Sequence, residues 1–169
     1  MRTRTSYINV SNGFTLIELM TSLVVLSILL AIGIPSFKSF SDKDRITDTT
    51  NDLITAFQLG RSEAIRHRTK ATICEANKDQ TECVNESTLW SNGWILYRST
   101  PATPIRIGTA PLDGVRISTN ALRIVFDAAG QATDFGQFEI DSDAGEPRCI
   151  RVLPSGFISS EKMACPKTE

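Results

Sequence analysis

Between Phe14 and Ile34 the chain places 21 residues with one charge among them, Glu18, and Pro35 follows directly. At about 1.5 Å per residue a helix of this length covers the roughly 30 Å hydrocarbon core of a bilayer, so the pattern predicts a transmembrane helix over 14–34. Past Pro35 the pattern becomes amphipathic. Phe37, Phe40, Ile46, Thr50, Leu53, Ile54, Phe57, Ala64 and Ile65 recur at three- or four-residue steps, with Asp42, Lys43, Asp48, Asn51, Asp52, Arg61 and Glu63 largely between them. This predicts that the helix continues over 35–68 and lays one face on a folded domain. Pro35 removes a backbone donor and its ring crowds the carbonyl one turn earlier, which predicts a kink there. Arg66, His67, Arg68 and Lys70 fall at the C-terminal end, where the helix dipole favours cations.

After Lys70 the period shortens to that of strands. Runs near 71–75, 94–98, 105–108, 115–118, 122–127, 137–140, 149–153 and 157–159 are separated by Ser91-Asn92-Gly93, Pro111-Leu112-Asp113-Gly114, Ala129-Gly130 and Pro154-Ser155-Gly156. No comparable helical pattern intervenes. The expected architecture is α+β: a long N-terminal helix, transmembrane in its first half and kinked near Pro35, packed on an antiparallel β-sheet or two-sheet domain over 69–169.

Glu18 is the costly feature. A carboxylate at the centre of a membrane helix costs on the order of 2.5–3.5 kcal/mol, and less near an end. No basic residue lies between it and Pro35. A secretory signal peptide would carry its small-residue cleavage site after the apolar core and no acid within it; an uncleaved anchor leaves Glu18 unexplained. Arg2 and Arg4, with no acid before Gly13, predict an N-terminus held on the cytoplasmic side and the remainder exported, in a single-pass inner-membrane topology.

Gly13-Phe14-Thr15-Leu16-Ile17-Glu18-Leu19, with its short basic leader and following proline, resembles the class III signal of type IV pilins and type II secretion pseudopilins. The resemblance implies that residues 1–13 are a leader removed by a prepilin peptidase between Gly13 and Phe14, that Phe14 is then N-methylated, and that Glu18 acts in assembly. Gly60-Arg61-Ser62-Glu63-Ala64-Ile65-Arg66, Asn92-Gly93-Trp94 and Cys149 to Pro154-Ser155-Gly156 resemble the GspH/FimT group. That group includes minor pilins of the FimU kind and pseudopilins of the GspH kind. It implies a two-sheet domain, a structural role near the tip of a pilus or pseudopilus, and as partners other major and minor pilins or pseudopilins and an inner-membrane assembly platform.

The four cysteines, Cys74, Cys83, Cys149 and Cys165, permit three pairings. In an oxidising compartment the sequential pairing, Cys74–Cys83 and Cys149–Cys165, closes two short loops and is the one expected. Their spacing does not match a zinc knuckle or ribbon, and the chain holds one histidine, His67, among arginines. We therefore expect no metal and no cofactor.

Charge argues against a general polyanion trap, since 18 basic side chains, two of them in the leader, stand against 19 acidic ones. One branch of the resembled group takes up DNA through a C-terminal Gly-Arg-x-Arg-like motif. Gly156-Phe157-Ile158-Ser159 has no base there. Arg148 and Arg151 lie nearby but point to opposite sides of a regular strand, so DNA is the weaker binding alternative. His67 has no assignable nucleophile or orienting acid, and no phosphate-cradling glycine loop is present, so no enzymatic activity is expected. Asp141-Ser142-Asp143 lacks the bidentate Glu and the glycine of a calcium loop and reads as a solvated turn.

Overall fold

The computed structural model describes residues 14–84, 88–99, 102–143 and 145–166, with the side chains of 32–41 and 102–103 excepted. The chain divides into two units, Met1–Phe37 and Lys38–Glu169. One helix, α1 (Leu16–His67), has residues in both.

In the first unit every described side chain from Phe14 to Ala31 is exposed. Among the described residues, however, no helix is long and apolar enough to cross a membrane. This overturns the transmembrane first half of the expected fold, and with it the single-pass inner-membrane location. Gly13, the Pro35 ring behind the expected kink, and the apolar side chains of Phe37 and Phe40 lie outside the described residues.

The second unit is α+β, with the helix laid on two antiparallel sheets. Its strands are β1 (Ala71–Ala76), β2 (Cys83–Val84), β3 (Trp94–Ser99), β4 (Ala102–Gly108), β5 (Val115–Thr119), β6 (Arg123–Phe126), β7 (Ala132–Asp134), β8 (Gly136–Ser142), β9 (Arg148–Val152) and β10 (Ile158–Glu161). The larger sheet has the order β4-β3-β1-β6-β7, with β2 paired to β1; the smaller is β10-β9-β8-β5. All paired strands run antiparallel, as hairpin-length connections allow. The sequence pattern did not anticipate β2 and β7. Two and three residues are too few to show a period of two.

Helix and sheets share one core. Ile46, Thr50, Leu53, Phe57 and Ala64 are buried on the inward face of α1, and the Thr50 hydroxyl is satisfied by the Ile46 carbonyl at 2.6 Å. Ile65, expected on that face, is 47% exposed, because it lies about 100° round the helix from Ala64. Phe57 meets Phe138 of β8 at a ring separation of 5.0 Å and Trp90 at 6.5 Å, and Trp90 stands edge-on to Phe138 at 4.8 Å. Toward the larger sheet, α1 approaches at Gly60. A Cβ there would lie 2.6 Å from Ile73 Cδ1 and 3.2 Å from Leu96 Cδ1, so a larger residue would force those buried side chains to shift.

Two disulfides close the ends of the domain. Cys74–Cys83 joins β1 to β2, and Cys149–Cys165 ties the C-terminal segment to β9. The helix ends in a Schellman turn: Thr69 N–H donates to the Ala64 carbonyl at 3.2 Å and Arg68 N–H to that of Ile65 at 3.3 Å. Arg68 therefore sits at φ +50°, a conformation that favours glycine.

Phe57→Ala is expected to destabilise the protein by about 3–5 kcal/mol, since it empties the centre of the aromatic cluster. Urea unfolding followed by the fluorescence of buried Trp90 would measure it. Arg68→Gly should instead raise stability by roughly 0.5–1 kcal/mol through relief of the left-handed backbone. The same titration would show that as a later midpoint.

Candidate functional site

The helix begins with a cap built from the residues that the apolar pattern treats as background. Thr15 precedes the first helical residue, and its Oγ1 accepts a hydrogen bond from Glu18 N–H at 3.3 Å, while its carbonyl accepts Leu19 N–H at 3.1 Å. Thr15-Leu16-Ile17-Glu18 is the spacing of a capping box, in which an acid at the third helical position also favours the positive end of the dipole. The reading of Glu18 as an unexplained acid missed this; the [ST]-x-x-E pattern was the available signal. The hydroxyls of Thr21, Ser22 and Ser27 donate to the carbonyls of Glu18, Leu19 and Val24 at 3.0, 2.8 and 2.7 Å. They satisfy themselves within the helix, so its outer face presents mainly apolar groups. Phe14 is 85% exposed and Leu16 77%. Glu18 is exposed, and its carboxylate has no partner among the described residues.

In the second unit the helix is locked to the larger sheet by a polar cluster. Asp52 Oδ2 accepts the Trp94 indole N–H at 2.9 Å, and Asp52 Oδ1 lies 3.3 Å from Arg106 Nη2. The Arg106 guanidinium stands 5.7 Å from the indole ring centre, close enough for a cation–π contact. Gly108 makes room for that indole, since a Cβ on it would overlap the Trp94 ring. The turn before Trp94 is held by Glu75, a buried carboxylate whose Oε1 accepts from Ser91 N–H at 3.1 Å, with the Ser91 hydroxyl and the Asn92 amide at 3.4 Å. Sequence reading singled out neither Asp52 nor Glu75 for these roles, because both partners come from distant parts of the chain.

The remaining candidate residues are engaged structurally. Arg148 Nη2 donates to Thr47 Oγ1 of the helix at 3.2 Å, and Arg151 pairs with Glu161 on the neighbouring β10. The two arginines thus do not form one basic surface. His67 Nε2 lies 3.4 Å from Glu63 Oε2. Arg116 donates to Asp141 at 3.0 Å and to Asp143 at 2.8 Å, and its hydrogen bonds to Asp143 and then Asp141 raise its pKa above the ordinary arginine value. Among the described residues no three of His, Cys, Asp and Glu are grouped to hold a metal.

The fold is similar to that of the type IV minor pilin FimU of Pseudomonas aeruginosa strain PAO1, seen in two crystal forms. One matches with a TM-score of 0.56 and 20% identity over 72% of this chain and 92% of that one. The other gives 0.52 and 19% over 68% and 91%. No curated protein matched. Residues 49–156 match the family described as Type II transport protein GspH, and residues 8–34 match the Prokaryotic N-terminal methylation motif. The chain belongs to the GspH family, within the superfamily of type IV pilins and type II secretion pseudopilins.

Asp52→Ala should cost about 1–3 kcal/mol, nearly all of it from leaving the buried Trp94 N–H without an acceptor. The exposed Arg106 pairing adds little. Asp52→Asn, whose Oδ1 can still accept that N–H, should retain most of the stability; thermal unfolding of the two variants side by side would show the difference.

Proposed function

We propose that this protein is a minor pilin, a non-catalytic structural subunit of a type IV pilus placed in its tip or initiation complex. It enters the filament by its N-terminal segment after a prepilin peptidase cuts between Gly13 and Phe14 and Phe14 is N-methylated. The observation that carries this reading is the uniformly exposed, mainly apolar segment from Phe14 to Ala31, helical from Leu16, which lies within the methylation-motif match and holds one carboxylate. Exposed apolar surface on this scale needs a partner, and the same segment of neighbouring pilins supplies one.

In such a bundle Glu18 of one subunit neutralises the amino group at Phe14 of the next. Unpaired, either charge is costly when removed from water; paired in a dry setting, they attract strongly and select a single register. The cap on Glu18 N–H keeps the helix wound up to this point while its carboxylate stays available. The partners on this reading are other pilins, the peptidase and the assembly machinery.

The family description favours a second reading, a minor pseudopilin of a type II secretion system. Deletion of the gene separates the two: loss of pili supports the first, loss of protein secretion with pili intact the second.

Glu18→Ala should leave processing intact and reduce incorporation into filaments at least several-fold, whereas Gly13→Ser should leave the precursor uncut. Mass spectrometry of the N-terminus and immunoblots of sheared filaments would read both. Normal incorporation of Glu18→Ala would remove the pairing mechanism, and a cellular form that still begins at Met1 would remove the reading as a whole.

A further inference from the structure

Arg61 of α1 is clasped by one turn from each sheet. Its Nε donates to the carbonyl of Gly130, in the turn between β6 and β7, at 2.9 Å. A Cβ on Gly130 would lie 3.2 Å from that Nε, and a Cβ on Gly156, in the turn between β9 and β10, would lie 2.9 Å from it. Both glycines have positive φ, +78° and +76°, so each turn lays bare backbone against the guanidinium. The seat fixes Nε and leaves the two Nη groups over. They have no acceptor among the described residues, and they are not sealed from solvent.

Arg61 lines a cleft of about 670 Å³ together with Ser62, Ile65 and Arg66 of the helix and Phe157 and Ile158 of the smaller sheet. No carboxylate is among the lining residues. The charge of Arg66 is met by Glu63, whose Oε1 lies 3.6 Å from its Nη1, so the uncompensated cation of the cleft is Arg61. The ground beside it is apolar, with Ile65 47% and Phe157 59% exposed. That ground continues along the end of the smaller sheet. Leu153 N–H donates to the Phe157 carbonyl at 2.9 Å, and Phe135 and Leu153, both exposed, come one step beyond the paired Gly136 and Val152.

We propose that this cleft receives a segment of an unlike subunit in which an aspartate or glutamate stands beside an apolar side chain, the acid on the Nη pair of Arg61 and the apolar group on Ile65 and Phe157. The proposal rests on the reading above as a tip subunit, whose neighbours are other kinds of pilin. Charge selects the occupant. A planar guanidinium held at Nε is pre-set to donate in parallel to both oxygens of a carboxylate, and apolar walls weaken the screening of the pair. A second copy using the same face would set Arg61 against Arg61, which repels. A small free anion would leave Phe157, Leu153 and Phe135 in water. An arginine beside exposed aromatic rings is also the composition on which interface energy concentrates.

The test uses the full chain in cells that assemble the filament, with a photoreactive phenylalanine analogue in place of Phe157. It should give an adduct with a different pilin, mapped by mass spectrometry to a peptide that holds Asp or Glu next to an apolar residue. Arg61→Gln should lower the yield about fivefold or more. Because Arg61 also anchors the Gly130 turn, Ser62→Glu and Ser62→Lys are read beside it; Ser62 is exposed, and its side chain makes no recorded hydrogen bond. Ser62→Glu should cut the adduct by a similar factor, whereas Ser62→Lys should leave it within about twofold or raise it. Equal loss from the two Ser62 variants, an adduct with a second copy or with nucleic acid alone, or a mapped peptide without an acid overturns the proposal. Chain found in filaments but without the adduct defeats this inference and leaves the proposed function standing. An adduct formed by chain that never enters filaments keeps the interface and defeats the pilus reading, and loss of both defeats both.

Discussion

The middle of α1 must fit two sheets at once, and the rest of the domain is arranged around that demand. Phe57 faces the smaller sheet through Trp90 and Phe138, while Gly60 sits against Ile73 and Leu96 of the larger one. Asp52 then fixes the rotation and height of the helix by taking the Trp94 indole N–H. Hydrophobic burial supplies the attraction, but this buried hydrogen bond and the missing Cβ at Gly60 specify which arrangement is adopted.

The start of the helix follows the opposite design. Its polar groups are satisfied internally, by Thr15 on Glu18 N–H and by three hydroxyls on carbonyls of the preceding turn, and its apolar groups face outward. Among the described residues no helix is long and apolar enough to cross a membrane. A surface that is apolar outside and self-satisfied inside is what the proposed packing between like helices requires.

Much of this was legible in the chain. Short β-like runs bounded by turn residues located β1, β3, β5, β6, β8 and β9, the three-to-four periodicity located the buried face of α1, and the Gly13–Leu19 run pointed to the superfamily that the family match establishes. The losses have physical causes. β2 and β7 are too short to carry a period; β2 pairs only with the last two residues of β1, past the end of its pairing with β6, and β7 pairs with β6. Ile65 was assigned inward on apolarity alone, although its bearing differs from that of Ala64. Asp52, Glu75 and Arg148 are ordinary polar residues in sequence and become structural only when Trp94, Ser91 and Thr47 arrive from elsewhere.

Hydrogen–deuterium exchange on the isolated subunit and on assembled filaments tests the division of α1 most directly. The account predicts that amides of residues 53–64 exchange slowest in both states, and that those of residues 16–31 exchange readily in the subunit and become protected only in the filament. Equal protection of the two stretches in the isolated subunit, or no gain in protection at 16–31 on assembly, would contradict it.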